Sequence, residues 1–436
     1  MWTIIISILT IITLISLIIF KPSINIKGKE VQTFWIVSLI GALLLILFKE
    51  IKLTEIKDVF FSDASINPIK ILVLFITVSF LSIVLDEAGF FKKCAVVATK
   101  VTKGSQFKLF LSLMAVISVL TVFTSNDIVI LTFTPFICYF AKHIRISPIP
   151  YLIGEFIFAN TWSMMLIIGN PTNIYLASSF GIDFFSYFKI LGLPTLIAGI
   201  VALGVILFLF RKPLRKKMII DEDDITVKLN PFITTIGIIH LGLCTILLAI
   251  SSYINLEMWL VCLGFALSLF VILLIYTLIK KEEVLKHSLK RLPYNLIPFI
   301  LSMFIIVSSL AKCGVISKVA GGLDTLSKTS NSTILTYGIS SFLSCNILNN
   351  IPMSVMFEKI ITSSNMLFVE EKLYSSIIAS NIGAYFTPLG ALAGIMWMSI
   401  LKKSGLKFGF KEFLKYGVIL APIVLLVALL VLMIVL

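Results

Sequence analysis

Apolar runs of roughly 18 to 24 residues recur along the chain and are parted by short charged clusters. That is the length at which an α-helix crosses the hydrocarbon of a bilayer. Spanning helices are predicted near 2–20, 31–48, 69–87, 151–181, 187–210, 232–250, 256–279, 294–312, 373–401 and 413–435. Two further apolar stretches, 107–141 and 333–358, behave differently. Each is too long for one helix, and the second is too short for two full crossings. Both carry a polar break: Ser125-Asn126-Asp127 in the first and Asn349-Asn350-Ile351-Pro352 in the second. Irregular backbone at membrane depth survives only where protein or a water-filled cavity satisfies it. Both stretches therefore read as re-entrant helical hairpins. The predicted fold is an all-α polytopic membrane protein, with about ten transmembrane helices plus two re-entrant hairpins.

Composition agrees. Of 436 residues, 59% are hydrophobic and 13% charged, more apolar than a soluble core of this size needs. The run Trp2–Phe20 has neither a basic segment before it nor a small-residue cleavage site. It reads as a retained transmembrane helix, not a signal peptide. A net charge of +14 does not call for nucleic acid, because cytoplasmic membrane loops collect Lys and Arg. With Met1 outside, most of the 36 lysines and arginines fall on the cytoplasmic side, so both termini are predicted extracytoplasmic. Six cysteines stand singly, with no Cys-x-x-Cys pair, and read as small buried apolar residues, neither a zinc site nor a disulfide framework. No His-Glu-x-x-His and no phosphate-binding loop occurs, which argues against an enzyme and against a nucleotide-driven pump within this chain.

The second half echoes the first. Leu85-Asp86-Glu87-Ala88-Gly89 aligns with Leu310-Ala311-Lys312-Cys313-Gly314, and Asn126 with Asn350. At nearly the same separation Ala159-Asn160 aligns with Ser380-Asn381, and Gly169 with Gly390. An odd number of crossings per half turns the second upside down, the inverted-repeat plan of secondary transporters. The expected parts are an N-terminal repeat over 1–212, a solvated linker over 213–230 with the acidic Asp221-Glu222-Asp223-Asp224, and a C-terminal repeat over 231–436. A second pair of breaks falls at Gly169-Asn170-Pro171-Thr172-Asn173 and Thr387-Pro388-Leu389-Gly390. Proline removes a donor and glycine permits unusual backbone, so these sites unwind the helices over 151–181 and 373–401. The freed N–H groups suit oxygen-rich or anionic ligands and the freed carbonyls suit cations. Four breaks, two per half, are expected to meet in one cavity.

An intramembrane aspartate is a functional site by default. Asp127 is thus the candidate coupling residue, binding and releasing H⁺ or Na⁺. Ser125, Asn126, Asn349 and Asn350 are placed either to contact substrate or to cap half-helices. Asn160 and Asn381 recur at matching positions and serve either structure or binding. Gly169, Asn170, Thr172, Asn173, Thr387 and Gly390 complete the candidate substrate and ion site; no metal ligands and no cofactor beyond the coupling ion are expected. His240, in mid-span, reads as bonded across to a neighbouring helix. Asp86, Glu87 and Lys312 read as interfacial groups that snorkel or cap. Cys345 lies near the second hairpin break.

At these residues the sequence resembles the arsenite-permease and citrate–proton transporter branch of the ion transporter superfamily, over nearly the whole chain. The carrying segments are Ser125-Asn126-Asp127 with Leu131-Thr132-Phe133-Thr134-Pro135, Gly169-Asn170-Pro171-Thr172-Asn173-Ile174 and Phe180-Gly181-Ile182-Asp183-Phe184. In the second half they are Pro298-Phe299 to Ser302-Met303-Phe304, Asn349-Asn350-Ile351-Pro352 and Thr387-Pro388-Leu389-Gly390. The chain departs from the Ser-Asn-Thr signature of the related dicarboxylate carriers at Asp127 and at Asn349-Asn350-Ile351. The resemblance implies a cation-coupled secondary carrier with a scaffold and a moving transport part that holds the hairpins. Its substrate would be arsenite, antimonite or a small anion. The alternatives within the superfamily are a sodium/proton antiporter and a citrate or dicarboxylate carrier. The bilayer is its only expected macroscopic partner apart from a second copy in a homodimer.

Overall fold

Both halves run through the same succession of helices. The first holds α1 (Trp2–Phe20), α2 (Phe34–Leu47), a short α3 (Leu53–Phe61), α4 (Pro68–Glu87) and α5 (Phe90–Lys100). It continues with the hairpin pair α6 (Gln106–Phe123) and α7 (Asn126–His143), then α8 (Ile149–Trp162), α9 (Pro171–Ser179) and α10 (Phe184–Leu209). After a one-turn α11 (Arg211–Leu214), the second half gives α12 (Pro231–Ile250), α13 (Met258–Lys280), a short α14 (Val284–Arg291), α15 (Leu296–Lys312) and α16 (Val315–Leu326). Its hairpin pair is α17 (Ser330–Leu348) and α18 (Asn350–Ser363), followed by α19 (Val369–Ile382), α20 (Leu392–Lys403) and α21 (Phe410–Val435). This computed structural model describes residues 2–21, 23–26, 29–61, 68–100, 104–217, 229–254 and 256–436. The acidic stretch of the linker and the basic residues Lys27, Lys103 and Lys228 lie outside the described residues.

The halves interlock reciprocally. α2 packs on α15 while α13 packs on α4, α7 packs on α20 while α18 packs on α9, and α10 lies against α21. A two-fold relation between two like bodies produces contacts of this kind, in which each partner offers the other the same surface. Each predicted hairpin is a helix pair, and each predicted broken helix is broken. Among the described residues, seven helices are long and apolar enough to cross a bilayer, α4, α10, α13 and α21 among them. α12 and α13 expose Leu243, Ile246, Leu267, Val271 and Ile275, side chains that hydrocarbon accommodates without cost. The broken helices sit at the opposite extreme. Every residue from Pro150 to Thr161 in α8 and from Lys372 to Ile382 in α19 is buried, so these two helices form the centre of the molecule.

Several expectations are corrected. Residues 31–32 belong not to a span but to an antiparallel ribbon, β1 (Ser23–Ile26) with β2 (Lys29–Gln32), and α2 begins after it. α3, α5, α14 and α16 occupy segments read as loops; they are too short and too charged to register as spans. Asp86 and Glu87 are not free interfacial groups, since Arg291 holds both, at 2.6 Å and 2.5 Å, and Asp86 is buried. Cys244 and Cys262 do not stand singly but meet, sulfur to sulfur at 3.8 Å, across α12 and α13, and Cys313 is exposed. Lys312 keeps half of its side chain exposed. It donates to Glu55, which keeps that carboxyl below its ordinary range. His240 reaches Ser268 on α13 at 3.2 Å, the interhelical bond expected of it.

α21 presses its Gly417 onto the backbone that follows α19. A Cβ there would stand 2.2 Å from the Phe386 carbonyl oxygen, and backbone does not step aside. Gly417→Ala is expected to cost about 1–3 kcal/mol, the usual range for overpacking. It should lower the thermal unfolding midpoint in detergent, whereas Gly264→Ala, which meets open space, should leave it unmoved.

Candidate functional site

Both broken helices end in a turn that glycine alone permits. α8 passes through two 3₁₀ turns, Ser163–Met165 and Ile167–Gly169, before Asn170 turns extended and Pro171 opens α9. α19 passes through Gly383–Tyr385, and Ala391 precedes α20 with nearly the same backbone, φ −150° in both cases. A Cβ on Gly169 would sit 2.1 Å from the Ser163 carbonyl oxygen, and one on Gly390 would sit 2.2 Å from that of Gly383. The two breaks are thus backbone copies of each other.

They also touch, through Asn381. Its Oδ1 accepts from Ser163 Oγ at 2.9 Å and Asn170 Nδ2 at 3.0 Å, and its Nδ2 donates to Asn173 Oδ1 at 2.7 Å. Asn170 Oδ1 caps α9 by accepting from the Thr172 amide, and the Thr172 hydroxyl meets Ser380 Oγ at 2.9 Å. Asn173 Nδ2 returns to the Ser163 carbonyl at 2.8 Å. The second hairpin is tied to the second break. Asn349 Nδ2 donates to the Leu389 carbonyl at 3.0 Å, and the Asn350 amide to that of Gly390 at 3.0 Å. Thr387 is held by Asn346 Oδ1 at 2.8 Å, and Cys345 Sγ reaches the Gly390 carbonyl at 3.0 Å. Asn349 has φ +80°, a left-handed backbone that lets α17 turn into α18 at a single residue.

The first hairpin tip is different. Asn126 Nδ2 donates to Asn160 Oδ1 at 3.0 Å, which joins the tip to α8. Ser125 Oγ and Asn126 Oδ1, however, are buried without partners. Asp127, in the first turn of α7, makes no hydrogen bond among the described residues. It faces a cavity of about 190 Å³ that is also lined by Gln32, Ser79, Arg291, Asn295 and Leu392. Three consecutive residues therefore present unspent oxygens, beside a helix N-terminus. Across the rest of the network the amides are spent on one another: Asn160, Asn170, Asn173 and Asn381 hold the breaks in shape.

Sequence reasoning passed over three buried charged groups. Glu155 in α8, Glu358 in α18 and Lys372 in α19 have no exposed surface. Glu155 meets Thr134 and Trp397, Glu358 accepts from Tyr175 at 3.2 Å, and Lys372 pairs with Asp324 at 3.2 Å. The signal for Glu155 was present. It is a lone carboxylate in an apolar run, as Asp127 is, but the run was taken whole as a span.

Helical hairpins and paired broken helices meeting inside a bundle long enough to cross a bilayer define a membrane transporter. The chain belongs to the citrate transporter family CitMHS, which it matches over residues 15–372. It is similar to the arsenical pump membrane protein of Escherichia coli (strain K12), 27% identical over 365 residues that cover 81% of this chain and 84% of the relative. A 46 kDa membrane protein of Mycobacterium leprae (strain TN) is 22% identical over 376 residues, covering 83% and 85%. Among solved structures, the YdaH transporter of Alcanivorax borkumensis shares the fold, with TM-score 0.56, 11% identity and coverage of 99% of this chain and 96% of that one.

Removing the Asn381 side chain leaves Asn170 Nδ2 and Asn173 Oδ1 buried without partners, while Ser163 keeps its bond to the Asn160 carbonyl. Asn381→Ala should cost more than one ordinary hydrogen bond, about 2–3 kcal/mol or more, because stranded buried groups carry the full desolvation penalty. The expected readout is a lower melting midpoint together with lost transport. A variant with wild-type stability would show that the two breaks do not depend on that bridge.

Proposed function

We propose that the protein is a secondary carrier, coupled to H⁺ or Na⁺, that moves arsenite, antimonite or a small anion by alternating access around the junction of the four breaks. Asp127, which faces the cavity without a hydrogen bond, carries this reading, beside the buried, unspent oxygens of its neighbours Ser125 and Asn126. In a water-poor interior, oxygens without partners are a standing cost that a bound ion or substrate removes. Asp127 is the coupling carboxylate, and Ser125 and Asn126 complete the oxygen set. Asn170, Thr172, Asn173, Asn349, Asn350 and Thr387 do not line the cavity that Asp127 faces, contrary to the expectation that all four breaks meet in one cavity; their part is to hold the breaks around it, with residues 1–212 and 231–436 as the two repeats.

Charge balance favours a neutral metalloid hydroxide over a carboxylate. Arg291 lines the cavity, yet Asp86 and Glu87 already engage it, and Asp127 adds a further acid. The described charge around the cavity is acidic on balance, which repels an anion and draws a cation. The names of the arsenical pump relatives agree with this choice. The cavity is lined by Gln32, Phe34 and Arg291 through Pro293, at the ends that the lysine and arginine distribution assigns to the cytoplasm. We therefore take this conformation as open to the cytoplasm, with both termini outside.

Transport into vesicles of purified protein tests the reading. Arsenite accumulation is expected to follow an imposed pH or sodium gradient, to collapse with an ionophore and to ignore ATP. Asp127→Asn should reduce gradient-driven accumulation by about tenfold or more, as loss of about 1.4 kcal/mol in the coupled step requires. Undiminished accumulation in that variant would remove Asp127 from the coupling role.

A further inference from the structure

Glu155 sits at the middle of α8 with none of its surface exposed. No lysine, arginine or histidine pairs with it among the described residues. Its Oε1 lies 2.7 Å from Thr134 Oγ1 on the first hairpin, and its Oε2 lies 3.4 Å from Trp397 Nε1 on α20. Thr134 Oγ1 also lies 2.6 Å from the Ile130 carbonyl oxygen. Counting protons across these contacts, together with the burial and the lack of a cation, points to the state of the acid. A hydroxyl carries one proton, and a carbonyl oxygen only accepts. The Thr134 proton is committed to Ile130, because without it two acceptor oxygens would face each other at 2.6 Å. The contact between Thr134 Oγ1 and Glu155 Oε1 then needs a proton of its own, and only the carboxyl can supply it. Trp397 donates to the other oxygen and leaves that assignment untouched.

We infer that Glu155 is a proton-binding residue, which in this conformation carries a proton on Oε1 and donates it to Thr134. Burial argues the same way, since an ionised carboxylate without a cation or a full set of donors is costly in a dry interior. The other titratable group facing it is Cys138 on α7, one turn beyond Thr134, which brings no positive charge. The ligand is H⁺, and the site is separate from the Asp127 cavity. Three elements hold the proton: the acid on α8, the acceptor on the first hairpin, and Trp397 from the opposite half. Any movement of hairpin or α20 away from α8 removes a partner of the acid, so proton affinity follows conformation. Use of that proton in transport rests on the carrier reading above; its presence on Glu155 does not.

Infrared absorption of the full-length protein in lipid nanodiscs at neutral pH reads the carboxyl directly. The wild-type spectrum minus that of Glu155→Gln is expected to contain the C=O stretch of a protonated carboxyl. In Thr134→Val the same band should move to higher frequency, because the proton has lost its acceptor, while Thr134→Ser should leave it in place. A difference spectrum with no such band, or with carboxylate bands in its place, overturns the inference. Should Glu155→Gln fail to fold, the Thr134 pair decides alone: a band at the same frequency in Val and Ser variants overturns it. A carrier found to use no protons would refute the proposed coupling and leave the band unchanged.

Discussion

Interrupting a helix inside a bilayer leaves backbone groups that water cannot reach, and everything central to this protein answers that constraint. Four helices are interrupted, and the interruptions satisfy one another. Asn381 spans from one broken helix to the other, Asn126 from the first hairpin to α8, and Asn349 from the second hairpin to the second break. None of these bonds exists within a single segment. The centre is therefore assembled only when both halves are in place, which accounts for the complete burial of α8 and α19 while α12 and α13 offer most of their surface to lipid.

Most of this plan was legible in the sequence because lipid imposes a coarse code. Span length and polar interruptions located both hairpins and both broken helices, and the recurrence of Asn-bearing segments marked the two halves. What stayed hidden was local or three-dimensional. The ribbon of β1 and β2 and the short amphipathic α3, α5, α14 and α16 fall below the length that a membrane demands. Arg291 is far in sequence from Asp86 and Glu87, so their ion pairs had no linear trace. Glu155 was overlooked for a different reason: a single acid barely changes the apolarity of the stretch around it.

The two halves share a backbone and differ in chemistry. The second hairpin tip is tied down by Asn349 and the Asn350 amide, whereas the first keeps Ser125 and Asn126 oxygens unspent. A ligand gains most by binding where oxygens lack partners, so on the proposed reading the symmetric scaffold would offer an asymmetric site.

The buried acids extend that asymmetry. The separation that carries Asn126 to Asn350 carries Thr134 to Glu358, and the one that carries Gly169 to Gly390 carries Glu155 to Ser376. The first half thus keeps its acid on the broken helix and a hydroxyl on the hairpin, and the second half exchanges them. Each acid nevertheless takes a donor from the other half, Trp397 for Glu155 and Tyr175 for Glu358, and both donors stand on the helix that follows a break. Moving one half against the other must change the hydrogen bonding of a buried acid in each. On the proposed carrier reading, a charge state tied in this way to the relative position of two bodies would couple ion binding to their motion, since a ligand shifts a conformational equilibrium only through the states it distinguishes.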